Sequence, residues 1–193
     1  ARILGQRFTD AWGQQVVVEE RGGGGGLLSA EQVARAAPDG YTLLVGSPSI
    51  MTTNQHLYAK MTFDPLVDFT PVARFAKVPN LLIAHPSLPA RNVKELIAVA
   101  KAKPKSITFV SSGVGSNFHL AGELFKLRAG VDLWHVPYKG SPPAIVDLIA
   151  GRAEVMFIHA IAINQYVKSG RLRALGVTGT KPNPVLPQEI GRA

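Results

Sequence analysis

Six consecutive residues, Ser111-Ser112-Gly113-Val114-Gly115-Ser116, carry the strongest chemical signal in the chain. Glycines let a backbone approach a ligand closely, and hydroxyls add hydrogen-bond donors. A helix starting directly after such a loop presents free N–H groups and the positive end of its dipole. A carboxylate or a phosphate suits that arrangement. The same residues also make an ordinary strand-to-helix turn with a serine cap, and both readings stand at this point. No Gly-Lys-Ser/Thr closes the loop, so it is not a nucleotide-binding P-loop. His119, in the first turn of the following helix, could donate to an anion or simply pack on the helix surface. Tyr138-Lys139-Gly140-Ser141 offers a second set of hydroxyl, amine and N–H donors, or a solvated turn. Ser47 and Ser49 offer a third. His159 follows an apolar run, where it either lines a pocket or caps a strand.

Catalytic signatures fail one by one. There is no Gly-x-Ser-x-Gly elbow and no His-Glu-x-x-His pair. The histidines at 56, 85, 119, 135 and 159 lack metal-ligand spacing, and there is no cysteine. No catalytic residue, metal or cofactor is assigned, although a Ser-His-Asp set assembled only in space stays open. Lys and Arg total 21 against 13 Asp and Glu, a net charge of +8. A nucleic-acid partner is not expected from this. The dense cluster Lys101, Lys103, Lys105 closes a helix, where cations suit the dipole, and no aromatics interleave. A positive field that favours anionic ligands accounts for the charge instead. With 46% hydrophobic residues and no apolar run of about 18, the composition is globular, without a membrane-spanning helix.

Strand and helix signals alternate around these loops. Ile3, Leu4, Phe8, Ala11 and Trp12 have helical spacing, stopped by Gly13, and no capping residue precedes them. Val16 to Val18 reads as a buried parallel strand whose natural neighbour would precede the first helix. The glycines between Arg21 and Gly26 form a tight loop before a capping box at Ser29 to Gln32 and a helix to Ala37. Strands are expected at 41–45, 72–76, 81–84, 107–110, 133–136, 154–157 and 172–177. Helices are expected as a short turn at 54–58, then from Arg91 or Asn92 to 102, and at 118–129, 142–150 and 161–168. This is α/β with mostly parallel sheets covered on both faces. In such folds ligands sit beyond the carboxyl ends of the strands, where the Ser/Gly/Tyr loops lie.

The same segments carry a family resemblance. Gly13-Gln14-Gln15-Val16-Val17-Val18-Glu19-Glu20-Arg21, Ala36-Ala37-Pro38-Asp39-Gly40-Tyr41, Asp68-Phe69-Thr70-Pro71-Val72-Ala73 and His85-Pro86-Ser87-Leu88-Pro89 are four of them. Gly115-Ser116-Asn117-Phe118-His119 to Phe125 and His135-Val136-Pro137-Tyr138-Lys139-Gly140-Ser141 complete the set. In this order and spacing they resemble the Bug/TctC family, the extracytoplasmic solute receptors of tripartite tricarboxylate transporters. The resemblance implies a two-lobed, type II Venus-flytrap fold of the periplasmic binding protein kind. Its first lobe would comprise 1–83 plus 179–193, lacking its first strand and C-terminal part, and its second lobe 84–178.

It further implies a periplasmic monomer holding a small organic di- or tricarboxylate, or an aromatic carboxylate, for delivery to membrane components. The ligand-binding set becomes Ser47, Ser49, Ser112, Gly113, Gly115, Ser116, His119, Tyr138, Lys139 and His159. Where the family often has Asp-Asn, this chain has Ile158-His159, which disfavours an amino-acid ligand. A ligand-sensing receptor and an α/β enzyme are the alternative functions.

Overall fold

The computed structural model describes residues 1–21 and 26–179. Most of the glycine run, and all but the first residue of the tail assigned to the first lobe, fall outside them. The chain divides into two compact units at Pro71/Val72.

The first unit holds helix α1 (Arg2–Trp12), helix α2 (Leu27–Ala34), a π-helical turn at Ser49–Thr53 and the short helix α3 (Asn54–Leu57). Gly13 ends α1 in the left-handed region, at φ 64°, as the glycine stop predicts. Ser29 does not cap α2. The helix opens two residues earlier, at helix-favouring leucines, and the Ser29 hydroxyl donates to the Gly26 carbonyl at 2.8 Å. The expected strands at 16–18 and 41–45 are not formed, nor is the one at 72–76, which falls in the second unit. Their β-branched, apolar composition is strand-like, but a strand exists only where a neighbour takes its N–H and C=O groups. Val17 and Tyr41 are exposed instead. A small core of Ala30, Ile50 and Phe63 remains, with Phe69 edge-on to Phe63.

The second unit is built on a five-stranded sheet. Its strands are β1 (Asn80–Ala84), β2 (Thr108–Ser111), β3 (Trp134–Pro137), β4 (Val155–His159) and β5 (Arg173–Val177), in the order β3-β2-β4-β1-β5. Helices α4 (Val93–Ala102), α5 (Asn117–Ala129), α6 (Ser141–Ile149) and α7 (Ala160–Lys168) alternate with β2 to β5. Leu81, Leu82, Ile83 and Ala84 are all fully buried. Successive strand residues point to opposite faces, so both faces of the sheet are covered here, as expected.

The expectation of a mostly parallel sheet needs correction. β2 pairs parallel with β3 and β4, but β1 is antiparallel to both β4 and β5. β1 is reached from the first unit rather than through a helical crossover on this sheet, so nothing forces it into the common direction. β1 also lies wholly within the second unit, so its sheet takes in residues 80–83, which the family resemblance assigns to the first lobe. The reversal has a geometric consequence. The carboxyl ends of β2, β3, β4 and β5 share one edge of the sheet with the amino end of β1.

Candidate functional site

That edge carries the Ser/Gly loop. Ser116 caps α5: its backbone is extended, and its hydroxyl accepts the His119 N–H at 3.2 Å. The Ser116 N–H itself donates to the Gly113 carbonyl. Four N–H groups open any helix without internal partners. With those two used, the amides of Asn117 and Phe118 are left without a partner among the described residues.

The loop is held from the side by the loop after β3. Tyr138 N–H donates to the Ser111 carbonyl at 3.0 Å, and Gly140 N–H to the Ser112 carbonyl at 3.1 Å. Gly113 sits at φ 131°, and a Cβ there would lie 3.3 Å from the Tyr138 carbonyl oxygen. Glycine is therefore required on both counts. The Tyr138 hydroxyl donates to Asp147 at 2.5 Å, and Arg152 holds the other oxygen of that carboxylate. The Asp147 bond raises the Tyr138 phenol above its ordinary range. Lys139 is exposed beside it.

His119 is hydrogen-bonded at one nitrogen. Nδ1 accepts the Gly115 N–H at 3.2 Å, and Nε2 lies 3.9 Å from Glu123. Its ring therefore shapes the loop from within. Burial lowers its pKa, Glu123 opposing and Lys126 assisting.

His135, which opens the motif running to Ser141 but carries no expected site role, lies at the centre of the site's support. Its ring stacks on Phe109 at 4.5 Å and meets the His119 ring at 4.3 Å. Its Nε2 is 2.8 Å from the Ser111 hydroxyl. That hydroxyl donates to the Gly113 carbonyl and accepts the Gly113 N–H. Burial first, then the neighbouring His119, pushes the His135 pKa down to about 4. A neutral imidazole thus latches the first half of the loop. Beneath it, α5 comes so close to β2 that a Cβ on Gly122 would lie 2.3 Å from the Phe109 ring.

His159 ends β4 at the same edge. Its ring meets Phe118, in the first turn of α5, edge-on at 4.9 Å. Burial lowers its pKa, and the Pro79 backbone partly opposes this, although Nδ1 itself has no hydrogen-bond partner. The structure therefore brings together Ser112, Gly113, Gly115, Ser116, His119, Tyr138, Lys139 and His159. Ser47 and Ser49 belong to the first unit, where the Ser47 carbonyl accepts the Met51 N–H and Ser49 opens the π-helical turn. Two open depressions of about 340 and 400 Å³ lie at the other end of β1 and β5, lined in part by Pro86, Arg91 and Arg173. There the Arg173 guanidinium donates to the Leu88 and Ala90 carbonyls and so serves the backbone.

The mixed α/β sheet, with anion-suited backbone and hydroxyl donors at one edge, has a fold of the periplasmic binding protein kind. Comparison with known proteins makes this specific. The family profile described as "Tripartite tricarboxylate transporter family receptor" (TctC) matches residues 1–190, and the chain belongs to that family.

Protein BugT of Bordetella pertussis is 37% identical over 97% of this chain. The chain spans 58% of BugT. Among solved structures, Rpa4515 of R. palustris with adipate superposes with a TM-score of 0.91 at 39% identity, covering 98% of this chain and 63% of that one. MatC (Rpa3494) from Rhodopseudomonas palustris with bound malate gives 0.88 at 29% identity, covering 100% and 65%. No helix among the described residues is long and apolar enough to cross a membrane.

Proposed function

We propose that this chain is the periplasmic capture receptor of a tripartite tricarboxylate transporter, binding a small organic di- or tricarboxylate without catalysis. One observation carries the reading. The Ser112–Ser116 loop, stitched to the Tyr138–Gly140 loop, aims a capped helix N-terminus and its two spare amides at the ligand edge of the sheet. Carboxylates bound to the similar receptors, adipate and malate, are of the class such a site would take. Ser112, Gly113, Gly115, Ser116, Tyr138 and Lys139 would contact the ligand, with His159 beside them and His119 positioning the loop. Membrane components would recognise the ligand-bound receptor.

The Ser111–His135 pair matches a nucleophile–base pair in distance. Its surroundings do not match. Ser111 is fully buried, its hydroxyl is saturated by Gly113, and no carboxylate bonds the other His135 nitrogen among the described residues. This pair supports a loop latch and argues against a hydrolase. Titration calorimetry with succinate, adipate, malate and citrate tests the function. Saturable one-to-one binding of at least one is expected, and Ser116→Ala should weaken it about tenfold, or ~1.4 kcal/mol. Absence of binding by all four, or an unaffected Ser116→Ala variant, would refute the proposal.

A further inference from the structure

The net charge of +8 is not spread evenly over the molecule. Sixteen of the 21 Lys and Arg residues, but only six of the 13 Asp and Glu, fall from Val72 onward, so the excess resides wholly in the second unit. Most of it lies at the end of that unit away from the ligand edge. β1 ends there, and β2 to β5 begin there. Arg91 stands in the loop after β1, Lys101 and Lys103 close α4, Arg128 closes α5, and Lys168 and Arg171 lie between α7 and β5 or at their junction. All six are exposed.

Cations at helix carboxyl ends suit the dipole, which accounts for single residues. It does not account for the missing counter-charge. The acids at this end are committed inside the fold. Asp132 pairs with Lys105 at 3.8 Å, and Glu154 accepts the Thr108 N–H at 2.7 Å. Glu95 accepts the Arg91 backbone N–H and the Asn92 side-chain amide, both at 2.7 Å. None of the six cations has an ion pair among the described residues.

Two apolar side chains stand out at the same end. Trp134, the first residue of β3, is 57% exposed, and Leu127, in the last turn of α5, is 78% exposed. Tryptophan has a broad apolar body and one polar N–H, which suits it to the boundary between lipid headgroups and acyl chains. Basic side chains beside such an anchor are drawn to anionic headgroups. The cations are spread over the ends of three helices rather than lining one groove. An extended charged surface matches that spread better than a single acidic peptide does.

We propose that this end of the second unit docks on an anionic phospholipid surface, with Trp134 and Leu127 entering the headgroup region and the six cations facing lipid phosphates. The Ser112–Ser116 loop, at the other end of the strands, then faces away from the lipid and stays open to solute. This docking goes beyond the carboxylate reading and does not depend on it.

Co-sedimentation of the full chain with vesicles of phosphatidylglycerol and phosphatidylcholine, against phosphatidylcholine alone, tests the proposal. Binding to the anionic vesicles only, weakened by added salt, is expected. Each basic side chain near such a surface is worth about fivefold in partitioning, or ~1 kcal/mol. The triple variant Lys101→Gln, Lys103→Gln, Arg128→Gln should therefore bind about a hundredfold more weakly. Neutralising Arg7 and Lys60 to Gln, in the first unit, should leave binding unchanged. Trp12→Phe leaves Trp134 as the sole tryptophan, and its emission should shift to the blue on the anionic vesicles alone. Equal affinity for both vesicle types, no binding to either, an unmoved Trp134 emission, or unchanged binding by a triple variant that still melts cooperatively would overturn the proposal. Binding to polyglutamate as tight as to the anionic vesicles would overturn it too, and would assign the face to an acidic protein segment. A protein that binds anionic vesicles but none of the carboxylates would lose the receptor reading and keep this one.

Discussion

Substituting alanine for Gly122 isolates the contact that seats α5 on the sheet. The new Cβ would meet three ring atoms of Phe109 at 2.3, 2.6 and 2.9 Å. None is the far end of a flexible chain. Phe109 is fully buried, and its ring is stacked on His135 at 4.5 Å. Overpacking of this kind costs about 1–3 kcal/mol, and contacts this short belong near the upper limit. Against that stands the helix propensity of alanine over glycine, a gain of roughly 1 kcal/mol. A net loss near ~2 kcal/mol follows, lowering the melting temperature by about 4–8 °C.

A double-mutant cycle with Phe109→Leu assigns the loss. Removing ring atoms creates space, so the alanine should cost less in the Phe109→Leu background, with a coupling of about 1 kcal/mol or more. Thermal melting of the four proteins gives the answer. A Gly122→Ala protein as stable as the parent, or a coupling near zero, would show that α5 is not seated by this contact.

Two further outcomes follow from the titrating groups. Unfolded histidine titrates near ~6.5, whereas His135 in the native protein titrates at about 4. Between those values the unfolded chain holds the extra proton, so stability is level above pH ~6.5 and falls as pH drops toward 4. Unscreened, the gap corresponds to ~3.4 kcal/mol; partial exposure of the ring trims it to about 1–2 kcal/mol. Urea unfolding at pH 7 and pH 5 should show the loss, and His135→Phe, which retains the stack on Phe109, should reduce it, leaving the smaller part due to His119 and His159. Separately, Asp147→Ala should return the Tyr138 phenol toward its ordinary range, visible by difference absorbance at 295 nm or so, wherever tyrosinate forms.

The second unit was largely legible from sequence because its punctuation is local. Asn92 caps α4 and Gly130 ends α5 where side-chain chemistry says they should. The apolar runs at 81–84 and 154–157 lie within two residues of the ends of β1 and β4. In the first unit, Val16 to Val18 and Tyr41 to Val45 have strand composition but no ladder. Composition reports a residue's willingness to pair, and pairing is a property of two segments. β1's reversed direction was hidden for the same reason, since its side-chain pattern reads identically either way. In the site, the Ser/Gly loop announced itself through glycine and hydroxyl content. His135 did not. An isolated histidine on a strand looks like packing until Ser111 is found 2.8 Å away.

The position of β1 in the sheet bears on the order of biosynthesis. β1 is the first strand of its sheet to leave the ribosome, yet both of its partners, β4 and β5, begin more than seventy residues later. Until they emerge, Leu81-Leu82-Ile83-Ala84 is an apolar edge with nothing on either side. The clasp between Asn80 and Thr178, 98 residues apart, closes last. Long-range pairing of this kind is slow, and an unpaired apolar strand is a template for association with other chains. The nascent protein therefore passes through a stage in which its most thoroughly buried strand is its most vulnerable one. Holdase chaperones that bind extended apolar segments would find their target there, and would release it only when the last strand arrives.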